Sequence, residues 1–204
     1  MPRSTSQRLV RLIAVAVLTS GIVLTGCTTA SPGPASPPAS SPTSVADLLA
    51  DHGLAHLEVT QIIERLDAMP VEERPADLMA SVRPDALVLT DGQERESRLP
   101  MPEDEVYVAV APYRDQTHEC YFHSLTTCLG ELGNAEVRIV LTDADGDVLI
   151  DEIRRTFDNG FVGLWVPRGI EATLNIEHEG SEGSVDLSTT GQDDPTCITS
   201  LRLA

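Results

Sequence analysis

The chain has few aromatic side chains, 3% of its 204 residues, with one Trp and three Phe. Any core must therefore rest on Val, Leu and Ile, and Trp165 is expected to be its largest inward anchor. Basic residues are scarce as well: 14 Lys and Arg stand against 32 Asp and Glu, for a net charge of −18. Such an acidic chain will not hold nucleic acid by electrostatics, nor grip anionic lipid through a polybasic patch. There is no Ser/His/Asp nucleophile pattern and no Gly-rich phosphate loop, and catalytic carboxylates cannot be singled out from so many acids. The expectation is a protein that is not an enzyme. No C-x-x-C pair is present, which counts against a thiol-disulfide oxidoreductase.

What is present begins at the N-terminus. Residues 1–11 carry Arg3, Arg8 and Arg11 with no acid, and an apolar stretch runs from Leu12 to Leu18, too short to span a bilayer. This reads as a secretory signal over residues 1–26. Leu24-Thr25-Gly26-Cys27 resembles a bacterial lipobox. That resemblance implies that Cys27 becomes the first mature residue and is lipidated on its sulfur, placing the protein on the outer face of the cytoplasmic membrane, in the periplasm or cell-wall space. Loss of residues 1–26 takes the net charge from −18 to −21, because it removes three arginines and no acid. Residues 27–44 are almost entirely Ser, Thr, Pro, Ala and Gly, a composition that buries no core and serves as an extended tether.

Beyond the tether the periodicity suggests two parts. In residues 45–104, a small α+β unit, 45–50 and 59–69 read as short helices, with Val59, Ile62, Ile63 and Leu66 at helical spacing and Pro70 as a stop. Residues 86–90 read as a buried strand closed by an Asp91-Gly92 turn. This unit is too small to bury much of its own surface and is the natural place for a homodimer interface. From 105 to 204 the pattern is β. Segments 106–110, 137–141, 148–156, 161–166, 171–177, 184–188 and 197–203 predict a seven-stranded Ig-like antiparallel β-sandwich, so the whole chain is mainly β. Asp145-Gly146, Asn159-Gly160, Arg168-Gly169 and Gly180 to Gly183 fall where hairpin turns are expected.

Three motifs compete for chemistry. Asp143-Ala144-Asp145-Gly146-Asp147 resembles a calcium loop superficially, but its glycine and final Glu are misplaced, so a hairpin turn is expected. His52 and His56 are one helical turn apart, yet Gly53 weakens a helix there and no third ligand follows, so two solvated histidines are expected. The third motif is His118-Glu119-Cys120-Tyr121-Phe122-His123-Ser124-Leu125-Thr126-Thr127-Cys128, with Cys197 far along the chain. Thiolate and imidazole are donors that select Cu(I), Zn(II) or redox chemistry. The spacing of Cys120 and Cys128 suits one face of a strand, neighbouring positions on a helix or, given Ser124, Thr126 and Thr127, a bent loop. Three mature cysteines are an odd number, leaving either one disulfide with an inert third thiol or a site that needs three sulfurs. A trigonal thiolate or thiolate-imidazole site suits Cu(I) better than tetrahedral structural Zn(II), and neighbouring thiolates can reduce Cu(II) as two of them close into a disulfide.

Here the residues carry a resemblance. Ala111-Pro112-Tyr113, His118-Glu119-Cys120, the run from His123 to Leu132, the run from Phe157 to Trp165, and Asp194-Pro195-Thr196-Cys197 resemble the periplasmic copper-binding protein CueP family, as does the run from Arg65 to Pro75. The resemblance covers nearly everything after the tether and includes a C-x7-C element with a distant third cysteine. It implies that Cys120, Cys128 and Cys197 bind copper, with His118 and His123 as weaker ligand candidates; zinc, on the donor chemistry above, is a lesser cargo. It also implies a role in copper tolerance or delivery, for which a thiol-disulfide reductant and a copper-receiving protein are the expected partners. The lipobox and tether depart from a freely diffusing periplasmic protein. The rival readings are a disulfide-stapled adhesive domain and a thiol-disulfide oxidoreductase.

Overall fold

The computed structural model describes residues 45–204; the signal segment, Cys27 and the tether lie outside the described residues. Two short helices open this region, α1 (Val45–Asp51) and α2 (Val59–Asp67). Gln61 Oε1 accepts from the Glu58 backbone at 3.0 Å at the start of α2, and the helix stops two residues short of the expected Met69, ahead of Pro70. Its buried stripe is Ile62, Ile63 and Leu66, and Asp67 shares it. A 3₁₀ turn at Val71–Glu73 leads into the antiparallel sheet β1 (Leu78–Val82), β2 (Ala86–Asp91) and β3 (Glu96–Pro100). The pattern predicts β2 but leaves β1 and β3 unassigned. The expected Asp91-Gly92 turn forms, and the Asp91 carboxylate accepts from the Gln93 and Arg95 backbone amides and from the Arg95 side chain.

The chain is mainly β, and strands continue through 105–204: β4 (Glu105–Val110), β5 (Glu136–Asp143), β6 (Val148–Arg155), β7 (Val162–Pro167), β8 (Glu171–His178), β9 (Ser181–Ser188) and β10 (Cys197–Ile198). They form two sheets, of order β6-β5-β8-β9 and β10-β4-β7. The antiparallel expectation fails at one pair, because β10 runs parallel to β4, with Cys197 opposite Ala109 and Ile198 opposite Val110. The link 189–196 carries the chain from β9 to the free edge of β4 and delivers it in β4's own direction. The last segment is also shorter than the expected 197–203. After Ile198 it holds to the 111–113 segment through single bonds, such as Leu203 N to Tyr113 O at 2.8 Å, rather than as a continuous strand.

The four expected hairpins divide evenly. Asp145-Gly146 joins the paired strands β5 and β6, and Glu179-Gly180 joins β8 and β9 with both residues at positive φ. Asn159-Gly160 and Arg168-Gly169 instead join strands of different sheets, so they are corners where the chain changes layer.

The sheet β10-β4-β7 is buried on both faces. Val106, Val108, Val110, Val162, Leu164 and Val166 point into an aliphatic core shared with Val137, Ile139, Leu141, Leu174 and Ile176 of the four-stranded sheet. Alternate residues, including Tyr107, Ala109 and Cys197, point the other way into a second core with α1, α2, β1, β2, Leu125 and Phe161. The segments 45–104 and 105–204 meet in this second core. Trp165 packs against it half-buried, with its indole N–H on Glu64 Oε1 at 3.1 Å. The largest fully buried side chain is Phe161, not Trp165.

Candidate metal centre

The run from His118 to Cys128 is a bent loop laced between β1 and β10. Val82 N donates to His123 O at 2.8 Å and Leu125 N to Ala80 O at 2.9 Å, so the loop borders β1. On its other side Tyr121 O accepts from the amides of Thr196 and Cys197, at 3.0 and 3.1 Å. Thr196 ties all three segments together: its hydroxyl donates to Val82 O at 2.6 Å and accepts from His123 N at 3.1 Å. These bonds return Cys197, 69 positions beyond Cys128 in the numbering, to the loop. Within it, Cys128 N reaches back to Ser124 O at 3.1 Å, a turn that brings Cys128 beside Cys120. Downstream, Gly130 N donates to Asn159 O at 2.6 Å, and a side chain at Gly130 or Gly160 would strike the other's backbone.

Cys120, Cys128 and Cys197 are all free thiols. The Cys120 and Cys128 sulfurs are 3.5 Å apart, in contact but well beyond the roughly 2.05 Å of a disulfide. Cys197 Sγ lies 3.8 Å from His123 Nδ1. Among the described residues, three donor atoms converge within 4.8 Å of one another in two groups, His118 with Cys120 and Cys128, and His123 with Cys128 and Cys197. Cys128 belongs to both. His123 is 0% and Cys197 3% exposed, whereas Cys120 and Cys128 are half-buried. A cleft of about 660 Å³ lined by His118, Cys120, Phe122, Cys128 and Glu131 opens on their side.

Behind the sulfurs stands a polar network that the sequence pattern did not single out. Asp67, fully buried on the apolar stripe of α2, faces His123 Nε2 at 3.0 Å through Oδ1. The same oxygen accepts from the Asn159 amide at 2.8 Å, and Oδ2 accepts from the Tyr107 hydroxyl at 2.7 Å. Asn159 Oδ1 in turn accepts from Phe161 N at 2.8 Å, and the Phe161 ring lies 4.5 Å from the imidazole of His123. Gly163 makes room for this arrangement, because a Cβ there would overlap the Tyr107 hydroxyl. The available signal was Asp67 itself, four residues after Ile63 and so on the helix's apolar side, where a carboxylate needs buried partners.

Charge follows from these contacts. Burial pushes the Asp67 pKa up, but the facing His123 charge and the hydrogen bonds from His123, Tyr107 and Asn159 outweigh it and hold the carboxyl below its usual range. Burial alone would lower His123, yet the Asp67 carboxylate and the Cys128 sulfur raise it to about 9. Hydrogen bonds from Cys120 and Cys197, and then the His123 charge, hold Cys128 far below an ordinary thiol. Its partners move the other way: sharing with Cys128 raises Cys120 to about 11, and Cys120 and Cys128 together push Cys197 up. These shifts favour the thiolate at Cys128, thiols at Cys120 and Cys197, and an imidazolium at His123 backed by the Asp67 carboxylate. The centre is a set of soft donors, one already ionised, and deprotonation of the rest releases protons as a metal arrives.

The two other motifs behave differently. His52 follows the last residue of α1 and His56 sits at positive φ beyond it, so no helical face carries both. His56 is exposed as expected, but the His52 side chain is only 9% exposed and lies 4.0 Å from Asp77. Asp143 to Asp147 is a hairpin turn, with Asp143 Oδ1 accepting from the amides of Asp145 and Asp147 at 3.0 and 2.9 Å.

The family described as "Periplasmic copper-binding protein CueP" matches residues 61–202, which include every residue of this centre. The chain belongs to the CueP family. A crystal structure of S.CueP superposes with a TM-score of 0.75 at 36% sequence identity, covering 81% of this chain and 100% of that one. A search of curated proteins found no match. CueP proteins are periplasmic copper-binding proteins, and the convergent Cys and His donors of this chain suit a soft metal cargo. No helix among the described residues is long and apolar enough to cross a membrane.

Proposed function

We propose that this CueP-family protein captures copper outside the cytoplasm and holds it as Cu(I) on the thiolates of Cys120, Cys128 and Cys197, for copper tolerance or delivery to a receiving protein. His118 and His123 are additional nitrogen donors at the two ends of the sulfur group. The observation that carries the reading is the convergence of a distant, buried Cys197 on the Cys120–Cys128 loop, with His123 oriented by Asp67. A carboxylate behind a ligating imidazole fixes the ring and raises its basicity. Zinc fits less well, since two half-buried sulfurs beside an open cleft differ from a closed tetrahedral site.

Reduction of Cu(II) fits the same geometry. Cys120 and Cys128 give one electron each to two Cu(II), the Cys120 thiol releases its proton, and the 3.5 Å gap closes into one disulfide, leaving two Cu(I). The disulfide removes two sulfur donors, so holding and reducing are alternate states, and a thiol-disulfide reductant must reset the pair. The low thiol pKa of Cys128 beside Cys120 also favours a second reading, thiol exchange. That chemistry would survive the loss of Cys197, whereas copper holding would not. Lipidation at Cys27 and the 27–44 tether would keep the centre near the membrane, and the 45–104 segment is the proposed dimer contact.

Loading the reduced full-length chain with Cu(I) or Zn(II) in competition tests the function. The expected result is retention of Cu(I) over Zn(II) with three fewer titratable thiols. Equal retention of zinc, or an unchanged thiol count, would overturn it.

A further inference from the structure

Two donor groups meeting at one sulfur are more than a single site requires. The outer group, His118, Cys120 and Cys128, borders the open cleft, and its two cysteines are half-buried. The inner group, Cys128, Cys197 and His123, lies deeper: His123 is fully buried, and Cys197 is buried at the floor of a second cleft that also borders His118 and Cys120. The two histidines differ in the same sense. His123 is held on one nitrogen by Asp67, so its ring is locked in place. His118 Nε2 is buried but makes no hydrogen bond at all, so nothing anchors that ring nitrogen.

We propose that copper arrives and departs through His118, Cys120 and Cys128 and is held deeper, by Cys197 and His123, with the Cys128 sulfur as the pivot common to both positions. The proposal rests on the copper-holding reading above and adds a route to it. In the inward step the Cu–N bond to His118 breaks and a Cu–S bond to Cys197 forms, while the Cys120 and Cys128 sulfurs stay bound and His123 Nδ1 comes within reach beside Cys197. The Cys197 thiol proton, and the Nδ1 proton of His123 when that nitrogen binds, leave to water, and copper stays Cu(I) throughout. Ligand exchange that keeps one bond intact never frees the ion, which is how a soft metal moves between tight sites without passing through solvent. His118 on this route is a kinetic ligand: it bonds copper in transit and not in the final state.

That distinction sets the test. Stopped-flow transfer of Cu(I) between a chromophoric chelator and the full-length chain gives uptake and release rates, and equilibrium competition gives Kd. His118→Ala is expected to slow uptake and release by a common factor of about ten or more while Kd stays within about threefold, since a group absent from the end state shifts the barrier alone. Cys197→Ser is expected to keep the uptake rate within about threefold and to speed release about a hundredfold or more, because only the inner position is lost. His118→Gln, which keeps a polar side chain in the loop, should match His118→Ala and so separate ligation from packing against Phe161. The route is overturned if His118→Ala leaves both rates unchanged, or if it weakens equilibrium binding as much as Cys197→Ser does. If Cys128→Ser and Cys197→Ser both hold Cu(I) like the unsubstituted chain, the copper-holding reading falls and the route with it. If they lose Cu(I) while His118→Ala exchanges at the original rates, the route alone falls.

Discussion

The two faces of the sheet β10-β4-β7 are built from alternate residues of the same strands, yet they do different work. One face is wholly aliphatic: Val106, Val108 and Val110 from β4 lie against Val162, Leu164 and Val166 from β7. The other carries Tyr107, Ala109, Gly163, Trp165 and Cys197, and from it the Tyr107 hydroxyl reaches Asp67 behind the metal centre. The period of two lets one strand pair serve as a dry wall and as a platform for chemistry. The comparison teaches that the centre's buried charges rest on packing they do not disturb. Asp67 and His123 sit on one side of the sheet within a mixed core, while the other side is packed by aliphatic side chains alone.

Substitution on the aliphatic face should therefore cost stability and spare the centre. Leu164 is fully buried, and Leu164→Ala is expected to lower the unfolding free energy by about 2–5 kcal/mol in denaturant titrations. Cu(I) affinity of the folded protein should stay unchanged. A loss of affinity in that variant at temperatures where it remains folded would break the separation of the two faces.

On the other face the smaller and more specific effect is a pH signature. Between pH 6.5 and about 9 the folded chain keeps a proton on His123 that the unfolded chain has lost, so this group's contribution falls as pH rises. Cys128 runs opposite: it is a thiolate when folded and a thiol when unfolded until its ordinary value of 9.0, so its contribution rises with pH over the same window. The two slopes cancel. The reduced, metal-free protein should show flat stability from pH 6.5 to about 9. It should then decline as unfolded thiols ionise while Cys120, raised to about 11, stays protonated. In Cys128→Ser only the His123 slope remains, now raised by Asp67 alone, so stability should fall by up to about 1.4 kcal/mol per pH unit from pH 6.5 upward and level off below pH 9. A flat profile in the variant, measured by urea unfolding at each pH, would contradict the buried imidazolium–thiolate pair.

How much of this was legible in the sequence depends on whether the information is local. The strands from β4 to β9 follow from apolar or alternating runs in their own residues, and the loop's donors from their side-chain types. The direction of β10 was not legible, because Cys197-Ile198 carries no sign of which neighbour it meets or in which sense. Asn159-Gly160 was legible as a turn but not as a corner between sheets, since that depends on which strands pair. β3 was missed because Glu96-Ser97-Arg98-Leu99-Pro100 buries only Ser97, leaving no apolar alternation to see. At the centre, Tyr107 reads as one more residue of an apolar strand, and only the fold brings its hydroxyl to Asp67.

The central claim is that three sulfurs separated in sequence form one copper-holding group. Competition titration of the reduced chain and its Cys120→Ser, Cys128→Ser and Cys197→Ser variants against a Cu(I) chelator tests it most directly. Each variant should bind Cu(I) sharply more weakly, with Cys128→Ser the weakest, because that sulfur belongs to both donor groups. Three variants that hold Cu(I) as tightly as the unsubstituted chain would contradict the account.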